Sequence, residues 1–155
     1  MAWWLVPFAA AAVWEACWWR RRVLRRRELY RRAKQHARAV RKPLLIVGAP
    51  DLGPTKGPIE PGDLVLDIAK SAAPNAIQAD VTRIPLPDDS VVVFVSCVLE
   101  YVPDLEAAMR ELRRVAGGRI YVCHVEPWTL TGAFYPGRRR VLPHSITGNG
   151  RRVVW

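Results

Sequence analysis

Three hydrophobic patterns succeed one another along this chain. From Ala2 to Trp19 the sequence reads AWWLVPFAAAAVWEACWW, apolar throughout except for Glu15. Arg20 to Arg41 follows with no proline or glycine and many helix-forming residues. Within it Val23, Tyr30 and Ala37 recur every seven residues, with Ala33 and Val40 beside them, which draws a narrow apolar stripe on a basic helix. From Lys42 onward the pattern changes to short apolar runs separated by turn residues.

Those runs predict strands over 44–48 (LLIVG), 64–68 (LVLDI), 76–79, 91–96 (VVVFVS) and 119–125 (RIYVCHV). Runs that are apolar at every position suit a parallel sheet covered on both faces. Between the last two, 104–115 (DLEAAMRELRRV) is amphipathic, with Leu105, Ala108, Met109, Leu112 and Val115 on one face. Asp104 is placed to cap its start, and Gly117-Gly118 to end it. Strand, helix, strand in that order predicts a right-handed crossover, so the fold class is α/β with a mostly parallel, Rossmann-like sheet.

Charge changes the picture at the N-terminus. Residues 1–42 hold ten Arg and two Lys against Glu15 and Glu28, a surplus equal to the +10 of the whole 155-residue chain. The remainder is neutral, so the basic character belongs to one segment and not to the α/β domain. Eighteen helical residues from Ala2 to Trp19 would span roughly 27 Å, close to a bilayer's hydrocarbon thickness. Trp3 and Trp4 at one end, and Trp14, Trp18 and Trp19 at the other, resemble aromatic belts, and the arginines from Arg20 follow at once. The expectation is a single-pass transmembrane anchor over 1–19, N-terminus outside, with the domain on the cytoplasmic or virion-interior side. A helix lying flat in the interface is the alternative. A cleaved signal peptide would need the opposite order of charge. Residues 20–42 are then a juxtamembrane helix touching anionic lipid headgroups, with nucleic acid or a helical protein as other partners.

Candidate chemistry is sparse. Cys17, Cys97 and Cys123 lack metal-ligand spacing, and Cys97 and Cys123 sit in apolar runs, so they read as small buried hydrophobes. His36 reads as solvated on the basic helix, and His124 as a structural residue in a strand. No metal cluster, phosphate loop or Ser/His/Asp set stands out.

One stretch of about 50 residues carries more. Asp80, Ile84-Pro85-Leu86-Pro87-Asp88-Asp89-Ser90, Leu99-Glu100-Tyr101-Val102, Glu111-Leu112-Arg113-Arg114-Val115 and Gly117-Gly118-Arg119 occur in this order. The series resembles the second half of a class I S-adenosylmethionine-dependent methyltransferase (methyltransferase type 11-like). The resemblance implies an acidic residue at the end of the second strand to hold the ribose hydroxyls, a role that falls on Asp67 with Ile68 beside it. It implies that Asp80 and Val81 meet the adenine, and that the end of the fourth strand, Ser96 to Leu99, faces the sulfonium. Asp88-Asp89-Ser90 reads as a turn.

The sequence departs from the family after the first strand. Its glycine-rich loop reads Gly48-Ala49-Pro50-Asp51-Leu52-Gly53: Gly48 matches the first glycine, Pro50 and Leu52 replace the next two, and Gly53 is out of phase. Gly48, Ala49 and Gly53 remain the cofactor-contacting candidates of this loop. The stretch 51–62 (DLGPTKGPIEPG) reads as a loop, and the second helix has shrunk to 69–75, which leaves one sheet face thinly covered unless the N-terminal helix, the membrane or a protein partner covers it. The domain then spans 43–126. The tail, 127–155, offers an Asn149-Gly150 turn and a possible edge strand over 151–155, and Arg138 to Arg140 with neighbouring aromatics.

Two functions follow as expectations. One is a membrane-anchored methyltransferase using S-adenosylmethionine on an unassigned acceptor, with no dedicated catalytic base. The other is a methyltransferase-like module that has lost the cofactor and serves a membrane-bound assembly or virus particle.

Overall fold

The computed structural model describes residues 6–48, 62–123 and 153–154. Its elements are α1 (Val6–Val40), β1 (Leu44–Val47), β2 (Leu64–Asp67), β3 (Ala76–Gln78), β4 (Val92–Ser96), α2 (Leu105–Ala116), β5 (Ile120–Cys123) and β6 (Val153–Val154). The strands form one parallel sheet in the order β3-β2-β1-β4-β5-β6. Chain order reverses between β1 and β4, so the carboxyl ends of β1, β2 and β4 flank a topological switch point.

Alternation along the strands sorts the core into two layers. Leu45, Val47, Leu66, Val93, Val95, Ile120 and Val122 face α2, where they meet Ala108, Met109, Leu112 and Val115. Leu44, Ile46, Val65, Val92, Phe94, Tyr121 and Cys123 face the opposite way and meet Leu29, Ala33 and Ala37 of α1. Full burial on both faces is why these strands are apolar at every position. Asp104 caps α2 by accepting the Ala107 N–H at 2.9 Å, and Gly117 ends it in the left-handed region at φ 57°.

From Val6 to Val40 the two N-terminal segments run on as one unbroken helix. α1 runs 35 residues, about 50 Å. Among the described residues no helix is long and apolar enough to cross a membrane. From Val6 to Trp19 the described part of the helix is apolar apart from Glu15, and arginines follow directly. The described residues do not support the expected transmembrane span over 1–19, of which residues 1–5 lie outside them. The stripe on the second half of α1 faces the sheet. Val23, Leu29, Ala33 and Ala37 are buried, and Tyr30 packs edge-on to Phe94 at 5.4 Å between centroids. Small residues at 33 and 37 let the helix lie close on the sheet. Val40 is exposed and leaves the stripe. His36, expected in solvent, is half-buried with its ring 5.9 Å from Tyr121. Burial, with Arg119 and Lys42 nearby, lowers its pKa.

α1 thus covers the face that the shortened domain leaves bare. A buried ion pair fixes it there: Lys34 meets Asp63 just before β2. The short helix expected over 69–75 is instead a turn. Asp67 accepts the Ala69 N–H, Ser71 accepts the Ala73 N–H, and Asn75 takes φ 57° while donating to the Asp63 carbonyl. Side chains that satisfy the backbone locally compete with a helix.

Candidate cofactor site

A cavity of about 200 Å³ opens at the carboxyl ends of β1, β2 and β4. Val47 and Gly48 end β1, while Leu66, Asp67 and Ile68 end β2. Ala79, Asp80 and Val81 follow β3, and Cys97, Val98, Tyr101, Val102 and Pro103 follow β4. Of the residues singled out in the sequence, Gly48, Asp67, Ile68, Asp80 and Val81 therefore share one wall-to-wall space. Ala49 and Gly53 lie outside the described residues.

Ser96 and Leu99 do not line the cavity. Ser96 is buried in the sheet, and its Oγ has no hydrogen-bond partner among the described residues. Leu99 is buried in the α2-side core. The reason is a turn at the strand end: Cys97 takes φ 52°, which directs Cys97 and Val98 to the cavity in their place.

Gly48 is demanded by geometry. Its φ is 102°, and a Cβ there would sit 2.7 Å from Val98 Cγ2 and 2.9 Å from the Ser96 carbonyl oxygen. Its N–H donates to the Leu66 carbonyl at 2.9 Å, so the backbone turns sharply out of β1 beside the cavity.

The two carboxylates are held in the same manner. Asp67 Oδ1 accepts the Ala69 N–H at 2.9 Å. Asp80 Oδ1 accepts the Thr82 N–H and its hydroxyl, both at 2.8 Å. Each residue uses one oxygen to fix its own loop, and the second has no partner among the described residues. Two carboxylates with spare acceptor capacity, between apolar walls from Val81, Val98 and the exposed Ile68, suit a ligand with hydroxyl and amine donors on a flat apolar body. The donor set fits a nucleoside.

The loop from Ile84 to Ser90 is locked onto α2. Arg114 donates to the carbonyls of Ile84 and Leu86, each at 2.8 Å, and to Asp88 at 2.7 Å. Glu111 accepts the Ile84 N–H at 2.9 Å. Hydrogen bonds from Arg114, helped by that N–H, hold the Glu111 pKa down at about 2. Asp88-Asp89-Ser90 is a turn, with the Asp89 and Ser90 N–H groups donating to the carbonyls of Arg114 and Val115.

A family model described as a methyltransferase domain matches residues 58–122. The matched segment is similar to a methyltransferase domain. The match runs from before β2 through β5 and includes Asp67, Asp80, Cys97 and the Glu111–Arg114 pair. It leaves out α1 and β1. No curated protein and no solved structure matches the chain.

Tyr101 to Pro103 line the cavity without a site role in the sequence reading, whereas Cys97 and Val98 fall inside the Ser96 to Leu99 stretch expected there. An apolar run in the sequence does not show where the strand stops, and the left-handed turn at Cys97 decides which side chains reach the site. Cys97 and Cys123 were read as separate buried hydrophobes. In the fold the Cys97 N–H donates to the Cys123 carbonyl at 2.7 Å, and Arg26 of α1 donates to Cys97 Sγ at 2.6 Å.

Proposed function

We propose that the protein is a methyltransferase that binds S-adenosylmethionine in the cavity between β1, β2 and β4. The observation that carries this reading is the meeting of Gly48, Asp67 and Asp80 around one space within a methyltransferase-type domain. Asp67 would accept from the ribose hydroxyls, and Asp80 with Val81 would meet the adenine. Gly48 lets the backbone pass close to the ligand without a side chain. When bound, the cofactor supplies an electrophilic methyl group on a sulfonium. The chain's own residues then have to orient the cofactor and exclude water. Val98, Tyr101 and Val102 form the wall that would do the second. A thermal shift of the full chain with S-adenosylhomocysteine tests this reading. Stabilisation that disappears in Asp67→Ala supports it, and no shift in either protein opposes it.

The site is presented by a helix suited to an anionic lipid surface. The first part of α1 leaves Phe8, Val13, Trp14 and Trp19 exposed, next to Arg20, Arg21, Arg25 and Arg27. Aromatic residues beside a run of arginines match the headgroup region of a bilayer, where each basic residue contributes about 1 kcal/mol. The arm therefore acts as an interfacial tether, with its remaining length built into the fold, and the acceptor is met at that surface.

A further inference from the structure

We propose that Cys97 and Cys123, with Arg26, form an oxidation site: a thiol pair that hydrogen peroxide or a small organic peroxide converts to a disulfide. The pair stands where β4 and β5 end. Ser96 pairs with Cys123 across the sheet, and the next residue, Cys97, reaches back to the Cys123 carbonyl at 2.7 Å. The two strand ends are thus directly hydrogen-bonded neighbours, and a disulfide needs Cα atoms within ~4.4–6.8 Å of each other. Both residues are free thiols.

Two features make the pair reactive as well as close. The Arg26 guanidinium lies against Cys97 Sγ at 2.6 Å, and it favours a thiolate over a thiol. Cys97 also lines the cavity, which gives a small oxidant a route to the sulfur. The two groups titrate as a unit. The hydrogen bond from Cys97 is the main cause holding the Cys123 thiol down at about 6, against burial and the nearby Glu100, with Arg26 adding to it. Cys97 moves the opposite way, because its proton is held by Cys123 and it is buried. One proton is thus shared between two sulfurs. When it moves to Cys123, the cavity-facing Cys97 carries the negative charge.

The chemistry balances with a peroxide as oxidant. The Cys97 thiolate attacks one peroxide oxygen and the O–O bond breaks. Hydroxide or alkoxide leaves, takes a proton and becomes water or alcohol, and Cys97 is left as sulfenic acid. Cys123 sulfur then attacks the Cys97 sulfur, the S–O bond breaks, and water leaves with the Cys123 proton. Counted from two thiols the pair has lost two electrons and two protons, one of them on forming the thiolate, and the peroxide has been reduced. The negative charge beside Arg26 is gone, at the point where α1 meets the sheet and where the cavity wall turns.

The test uses the full chain with Cys17→Ser, which removes the exposed third thiol, and no cofactor, so it is independent of the methyltransferase reading. After hydrogen peroxide, intact mass should fall by two hydrogens, and peptide mapping should join Cys97 to Cys123. In Cys123→Ser the reaction should stop at a sulfenic acid on Cys97, trapped by dimedone. Arg26→Gln should slow oxidation by about tenfold, while Arg31→Gln, on an exposed face of the same helix, should not. Retention of both thiols in the folded Cys17→Ser protein would overturn the proposal. So would an Arg26→Gln rate equal to that of the parent, with circular dichroism showing both folded.

Discussion

Arg114 donates two hydrogen bonds to Glu111, from Nε to Oε1 and from Nη2 to Oε2, each at 2.8 Å. The same guanidinium holds the carbonyls of Ile84 and Leu86, so one side chain ties the last turns of α2 to the loop that leads from the Asp80 turn into β4. Arg114→Lys keeps the charge but cannot fork across these acceptors. Arg114→Ala should lower the urea midpoint clearly, and Arg114→Lys should lower it by less. Equal stability of all three proteins would mean that the loop holds itself.

The same pair gives a pH dependence. The Glu111 carboxyl titrates at about 2 in the folded chain, well below an unfolded glutamate near 4.5. Its contribution is complete above that unfolded value and is lost as pH falls from about 4.5 toward 2. Glu111→Gln should be less stable at neutral pH and should show a flatter stability profile over this window, read by thermal unfolding against pH. A parallel profile would assign the acid sensitivity to other carboxylates, of which Glu28, held down by Arg31 and Arg32, is one.

Lys34 and Asp63 test whether α1 belongs to the fold. Breaking a buried ion pair by removing one partner typically costs about 3–5 kcal/mol. Lys34→Ala and Asp63→Ala should each lose that much, and the double variant Lys34→Met with Asp63→Leu should recover much of it. A chain lacking residues 1–19 should stay folded by circular dichroism. One lacking residues 1–42 exposes Leu44, Ile46, Phe94 and Tyr121 and should not.

The lipid tether has its own outcome. The full chain should sediment with vesicles containing anionic phospholipid and be released as salt rises. Deleting residues 1–19, with the fold intact, should abolish most of this. Equal binding to purely zwitterionic vesicles would remove the arginines from the explanation.

Much of the sheet was legible because its strands are buried on both faces, so Leu44 to Val47 and Val92 to Ser96 appear as unbroken apolar runs. Helix α2 declared itself through its apolar face, Asp104 and Gly117. The stripe on α1 was equally visible, but its partner was not. Leu29, Ala33 and Ala37 meet Ile46, Phe94 and Tyr121, which lie far along the chain, and a run of arginines beside tryptophans reads first as a membrane segment. At the site, Asp67 and Asp80 were found through the family resemblance. Gly48 fitted it too, and Val98 and the Ser96 carbonyl supply the physical reason for the glycine. Which side chains of Ser96 to Leu99 reach the site was not legible, because a left-handed residue after a strand leaves no periodic trace.

Calorimetric titration of S-adenosylmethionine into the full-length chain tests the central claim most directly. Saturable binding at one site is expected, weakened at least about tenfold by Asp67→Ala and by Asp80→Ala, each of which removes a charged acceptor worth about 1.5–3 kcal/mol. A folded chain that gives no binding heat at millimolar cofactor, or that binds equally well with both carboxylates removed, would contradict it.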